Sequence, residues 1–110
     1  MQIPPFSAAE YDRRLAKTRA AMHERDLEAL IVTDPSNQAW LTGYDGWSFY
    51  VHQAVILPAD GDPVWWGRMQ DTGGARRTVD TGRTGIVGYP DNFVQSTERH
   101  PMQHLAGTMA

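Results

Sequence analysis

The chain has 110 residues, 41% of them hydrophobic and 21% charged, with a formal net charge of −3 and no cysteine. That length fits one compact domain, residues 1–110, with room for a core, and the composition excludes disordered, fibrous and disulfide-stapled classes. Ten scattered basic residues offer no single-sign face for a nucleic acid, and no apolar run is long enough to span a bilayer.

The first element begins at Ser7-Ala-Ala-Glu10, a capping box in which the Ser7 hydroxyl and the Glu10 carboxylate are each expected to take a backbone N–H. Phe6 and Tyr11 are placed to close a hydrophobic staple over it. Tyr11, Leu15, Thr18 and Met22 then recur at helical spacing, while Arg13, Arg14, Lys17 and Glu24 read as solvated. Leu27 to Val32 is short, branched and apolar, which predicts a central strand buried on both faces. Asp34-Pro35 caps a short helix through Trp40 and Leu41, and Gly43 stops it.

An aromatic run, Tyr44 to Tyr50, leads into a strand over about Val51 to Leu57. The Asp60-Gly61 turn returns Val64-Trp-Trp66 antiparallel to it, with Trp65 and Trp66 on opposite faces. At least one of these rings is expected to need cover from another subunit or domain. A helix from Gln70 to about Thr78 is weakened by Gly73-Gly74. Ile86-Val87 reads as a brief strand, and His100-Pro101 opens a last helix whose Met102, Leu105 and Met109 share a face. Helix and strand alternate around one hairpin, so the fold class is α/β, a mixed sheet flanked by helices. After Met109 no closing strand follows, which predicts a domain truncated at its C-terminal end.

Catalytic groups are not found by spacing. His100 and His104 are four apart, but Pro101 makes His100 a cap, and no acidic partner lies within the next turn. His23 sits on a charged helix face. The serines have no sequence-local base, there is no Gly-x-Ser-x-Gly elbow, and neither Gly73-Gly74 nor Gly82 to Gly88 has the order of a phosphate-cradling loop. The informative stretch is Trp40 to His52, where Trp40, Tyr44, Trp47, Phe49 and Tyr50 crowd around Gly43 and Gly46. Rings on a glycine-bordered loop serve equally as core, as a face for a compact cationic ligand, or as a subunit interface.

Leu30 to Asn37, Trp40 to Gln53 and Val64 to Arg68 with Gln70-Asp71 resemble the amino-terminal domain of the creatinase/prolidase family. Gly88-Tyr-Pro-Asp91 and Val94 to Met102 are similar to the ectoine hydrolase branch of that family. The resemblance implies a ribonuclease-H-like α/β domain that is not catalytic by itself and whose partners are its own C-terminal catalytic domain and a second identical subunit. It implies a cytoplasmic, dimeric hydrolase acting on a small molecule, of the ectoine-degrading or Xaa-Pro aminopeptidase type. No cofactor is expected in this chain, and a divalent metal would belong to the pita-bread catalytic domain. Creatinase is similar in placing an aromatic and a basic side chain near its substrate. The aromatic position falls on Phe49 and the basic one near Val51 or His52, a departure that leaves carboxylate binding unassigned. Trp47, Phe49 and His52 are therefore the expected substrate-binding residues. A pure oligomerisation domain and an independent small-solute-binding module are the alternatives.

Overall fold

The computed structural model describes residues 6–44, 52–79, 84–93 and 98–109. Helix α1, Ala8–Glu24, starts on Ser7, whose Oγ accepts from the Glu10 N–H at 3.3 Å. The other half of the expected box is not made, because the Glu10 carboxylate turns to Arg13 and Arg14 instead. Phe6 does staple the cap, its ring 6.3 Å from that of Tyr11 and edge-on. Tyr11, Leu15 and Met22 are buried as the periodicity requires.

Arg14 corrects the sequence reading, since it is buried rather than solvated. Its guanidinium lies over the Phe6, Tyr11 and Trp40 rings, at 4.3, 5.5 and 5.3 Å from their centroids. It also donates to the Glu10 carboxylate at 2.7 Å and to the Trp40 carbonyl at 2.9 Å. A delocalised, weakly hydrated cation tolerates this setting, where its flat faces meet rings and its edge meets oxygens.

Strand β1 is Ala29–Val32 and helix α2 is Pro35–Thr42. The Asp34 carboxylate caps α2 by accepting from the Asn37 N–H at 3.0 Å, and Gly43 ends it at φ 83°, a left-handed conformation that a side chain would strain. Strands β2, Ala54–Pro58, and β3, Val64–Arg68, form the predicted antiparallel hairpin. A 3-10 turn at Met69–Asp71 leads into α3, Thr72–Thr78, and β4, Gly85–Tyr89, lies parallel to β3. That parallel pair makes the sheet mixed. Helix α4 is Pro101–Met109.

The described strands run β1-β2-β3-β4 across one sheet, so β1 is at an edge and not central. Leu30 and Val32 face the core beneath α1 and α2, whereas Ile31 points to the opposite face, beside its partner Ile56, and stays 44% exposed. On one face of the sheet Leu15, Met22, Leu41, Tyr44, Val55, Leu57, Trp65, Ala75 and Val79 form a continuous core. On the other face Ala54, Ile56, Trp66, Tyr89 and Leu105 form a second one under α4.

Trp65 and Trp66 are both fully buried within the chain, so neither needs the outside cover expected for it. Rings of this size withdraw about 150–250 Å² each, roughly 4–6 kcal/mol of transfer free energy as an upper estimate. The α4 reading is corrected as well. Pro101 and Leu105 face inward, while Met102 and Met109 are exposed because their shared stripe lies on the outer side of the helix.

Candidate functional site

Trp47 and Phe49, two of the three expected substrate contacts, lie outside the described residues, as does Val51. His52 has defined surroundings. It stands exposed two residues before β2, and its backbone carbonyl accepts from the Tyr89 hydroxyl at 2.7 Å. Its ring meets that of His100 edge-on, with centroids 4.8 Å apart and planes at 64°. Lost hydration first, and the neighbouring His100 second, push the His52 imidazole below its usual 6.5. At neutral pH it is therefore an uncharged ring able to donate and accept hydrogen bonds, and not a cation suited to pairing with a carboxylate.

Behind His52 the rings of Trp66, Tyr89, Phe93 and His104 pack together, with centroids between 4.8 and 6.4 Å. The Trp66 indole N–H donates to His104 Nδ1 at 3.1 Å. At the start of α4, His100 Nδ1 accepts from the Met102 N–H at 3.1 Å while the Gln103 side chain accepts from the His100 N–H at 3.1 Å. The helix is thus capped reciprocally by a histidine and a glutamine. In both His100 and His104 an accepting Nδ1 implies the Nε2–H tautomer when neutral, which leaves no lone pair for a cation at Nε2. These residues fit structural roles and do not fit a metal. Among the described residues no group of three or more histidine and carboxylate side chains converges in a way that could hold an ion.

On the opposite face of the sheet lies a buried polar chain that the sequence reading missed. Tyr44 Oη donates to Gln53 Oε1 at 3.2 Å, Gln53 Nε2 donates to Gln38 Oε1 at 3.2 Å, and Gln38 Nε2 donates to the Val32 carbonyl at 3.0 Å. Thr42 joins it, donating its hydroxyl to the Gln38 carbonyl at 2.8 Å and accepting from the Tyr44 N–H at 3.2 Å. The available signal was a glutamine directly before an apolar strand, Gln53-Ala-Val-Ile-Leu57, and another on the buried side of a short helix. A separate cleft of about 380 Å³ opens between α1, β1 and α2, lined by Thr18, Ile31, Asp34, Asn37 and Trp40 among others, and His52 takes no part in it.

Residues 14–110 match the model of the creatinase/prolidase N-terminal domain. An ectoine hydrolase of Halomonas elongata is 52% identical over 105 residues, which is 96% of this chain and 26% of that protein. An uncharacterized hydrolase/peptidase of Sinorhizobium fredii is 43% identical over 107 residues, 96% of this chain and 27% of its own length. The chain thus spans about a quarter of the length of these curated relatives. Among solved structures, a proline dipeptidase from Streptococcus agalactiae superposes with a TM-score of 0.72 at 20% identity, covering 90% of this chain and 68% of that one, which speaks for the fold alone. Dipeptidase PepE from Mycobacterium ulcerans superposes with a TM-score of 0.69 at 27% identity, over 79% of this chain and 24% of the other.

Proposed function

The chain belongs to the creatinase/prolidase N-terminal domain family, and from that premise we propose that it is the non-catalytic domain of a C–N bond hydrolase and supplies subunit contacts and part of a substrate pocket in trans. The parent activity is of the ectoine hydrolase or Xaa-Pro peptidase type, on a small cyclic or peptide-like solute. The domain pairs with its own C-terminal catalytic domain and with a second identical subunit in a cytoplasmic dimer, and any divalent metal is held by the catalytic domain. The observation that carries this reading is His52, an exposed and uncharged imidazole fixed by Tyr89 and His100 at the end of the ring-rich stretch. The 52% identity to an ectoine hydrolase supports the choice of solute.

Trp47 and Phe49 give the pocket its aromatic wall, and His52 adds a hydrogen-bonding edge. The test uses the polypeptide that joins this domain to its catalytic domain. Phe49→Ala and His52→Ala should each lower kcat/KM for ectoine by about tenfold or more without changing subunit association. Unchanged kcat/KM in both variants would take these residues out of the pocket.

Subunit contact without ligand contact is the second reading, favoured by Ile31 standing exposed on edge strand β1. It predicts altered sedimentation in the same two variants with turnover per site intact.

A further inference from the structure

We infer that Gln53 is a positioning residue: its side chain, gripped by Tyr44 and Gln38 on one face of the sheet while the Tyr89 hydroxyl holds the His52 carbonyl from the other, fixes the strand entry that presents the His52 imidazole. The inference rests on the reading of His52 as a substrate contact and adds what holds that contact in place.

Consecutive residues are held from opposite sides. Tyr89 belongs to the core beneath α4 and Tyr44 to the core beneath α1 and α2. Tyr89 reaches the His52 carbonyl at 2.7 Å, and Tyr44 reaches the Gln53 side chain at 3.2 Å. The grip is directional from end to end. Each amide accepts at its oxygen and donates at its nitrogen, and the chain finishes on the Val32 carbonyl in β1. Gln38, Tyr44 and Gln53 are 0%, 4% and 8% exposed, so all of this is built in a dry interior.

Apolar side chains of similar volume would fill that interior without the cost of desolvating two amides and a phenol. What they would lack is registry, since an apolar contact tolerates sliding and rotation that a hydrogen-bonded chain does not. Tyr44 and Gln53 are nine residues apart and flank the stretch that contains Trp47 and Phe49. The same bonds therefore set the separation of its two ends.

The test begins on this chain. Tyr44→Phe deletes one hydroxyl and keeps the ring, whose centroid lies 5.3 Å from that of Trp65. Gln53→Leu removes the central link, and Tyr44→Phe serves if that variant does not fold. NMR would follow the cross-peak between the His52 and His100 rings and the His52 titration midpoint. Met22→Ala, a core change that shares no bond with the chain, is the control. We expect the cross-peak to weaken and the midpoint to rise in Tyr44→Phe and Gln53→Leu, with both unchanged in Met22→Ala. A folded Tyr44→Phe with an unchanged cross-peak and midpoint would overturn the inference, as would equal changes in the control. A second arm measures Tyr44→Phe in the polypeptide that includes the catalytic domain. KM for ectoine should rise by about threefold or more with kcat nearly constant. If the His52 signals move while KM does not, the positioning of His52 stands and its role in the pocket is what fails.

Discussion

Trp66 donates its indole N–H to Nδ1 of His104 across 3.1 Å, so α4 is latched to the sheet by a bond between a fully buried donor and a half-buried acceptor. His104→Leu keeps the volume and removes the acceptor, leaving a buried N–H without a partner. Urea unfolding should show a loss of about 1–3 kcal/mol. Adding Trp66→Phe should return a coupling clearly different from zero in the double-mutant cycle.

Acid should loosen the His52 corner. Its imidazole binds a proton less readily in the folded chain than in the unfolded one, because folding strips hydration and brings His100 close. The unfolded chain then takes up more protons as pH falls through the usual 6.5, and stability drops over the window from there down to the folded value. Above that window the effect is absent. Urea midpoints between pH 7.5 and 5 should show this slope, and His52→Gln should flatten it.

The start of α1 has its own acid limit. Hydrogen bonds from Arg13 and then Arg14 hold the Glu10 carboxyl down to about 2 against an ordinary 4.5. A depressed carboxylate contributes stability at pH above 4.5, and the contribution is lost as pH falls from there towards 2. Circular dichroism should show a loss of helix over that range which Glu10→Gln removes. Salt should weaken the effect, because these charges face water in part.

Arg14→Lys should behave as a disruptive change. An ammonium cannot lie flat against the Phe6, Tyr11 and Trp40 rings and at the same time reach both the Glu10 carboxylate and the Trp40 carbonyl. A fall of several degrees in Tm, with α2 losing amide protection before β2 and β3, is the expected outcome. Equal protection across all elements would argue that the guanidinium does not couple α1 to α2.

Gly67 is set by contact. A Cβ there would come within 2.6 Å of the Trp65 ring, which is enclosed on every side and has nowhere to move. Gly67→Ala should cost about 1–3 kcal/mol as overpacking. Gly73→Ala, with open space around its Cβ, should be neutral or slightly stabilising in the same denaturant series.

Much of this architecture was legible because its signals are local. Ser7, Asp34-Pro35, Gly43 and Asp60-Gly61 act within a few residues of themselves, and each appears where the sequence places it. What failed depends on partners far along the chain. Arg14 is buried because residue 40 supplies a ring and a carbonyl 26 positions later, and Trp66 is covered because α4 supplies Leu105 and His104. β1 is an edge because no strand among those described lies beyond it, which its apolar run could not reveal. The same limit hid the polar chain, since nothing in the sequence joins Gln38, Tyr44 and Gln53. Of the expected substrate contacts, only the surroundings of His52 were open to comparison with the reading.

The strand order repeats the chain order, each strand lying beside the one before it. A chain leaving the ribosome could add these strands one at a time at a growing edge, with no strand waiting for a distant partner to be made. Only β2 and β3 are joined by a short turn; the step from β1 to β2 passes through α2 and the step to β4 through α3, so one hairpin between near neighbours seeds a search that two longer connections complete. Refolding of such a sheet should start at the β2–β3 hairpin and be completed as β1 and β4 close on its two sides.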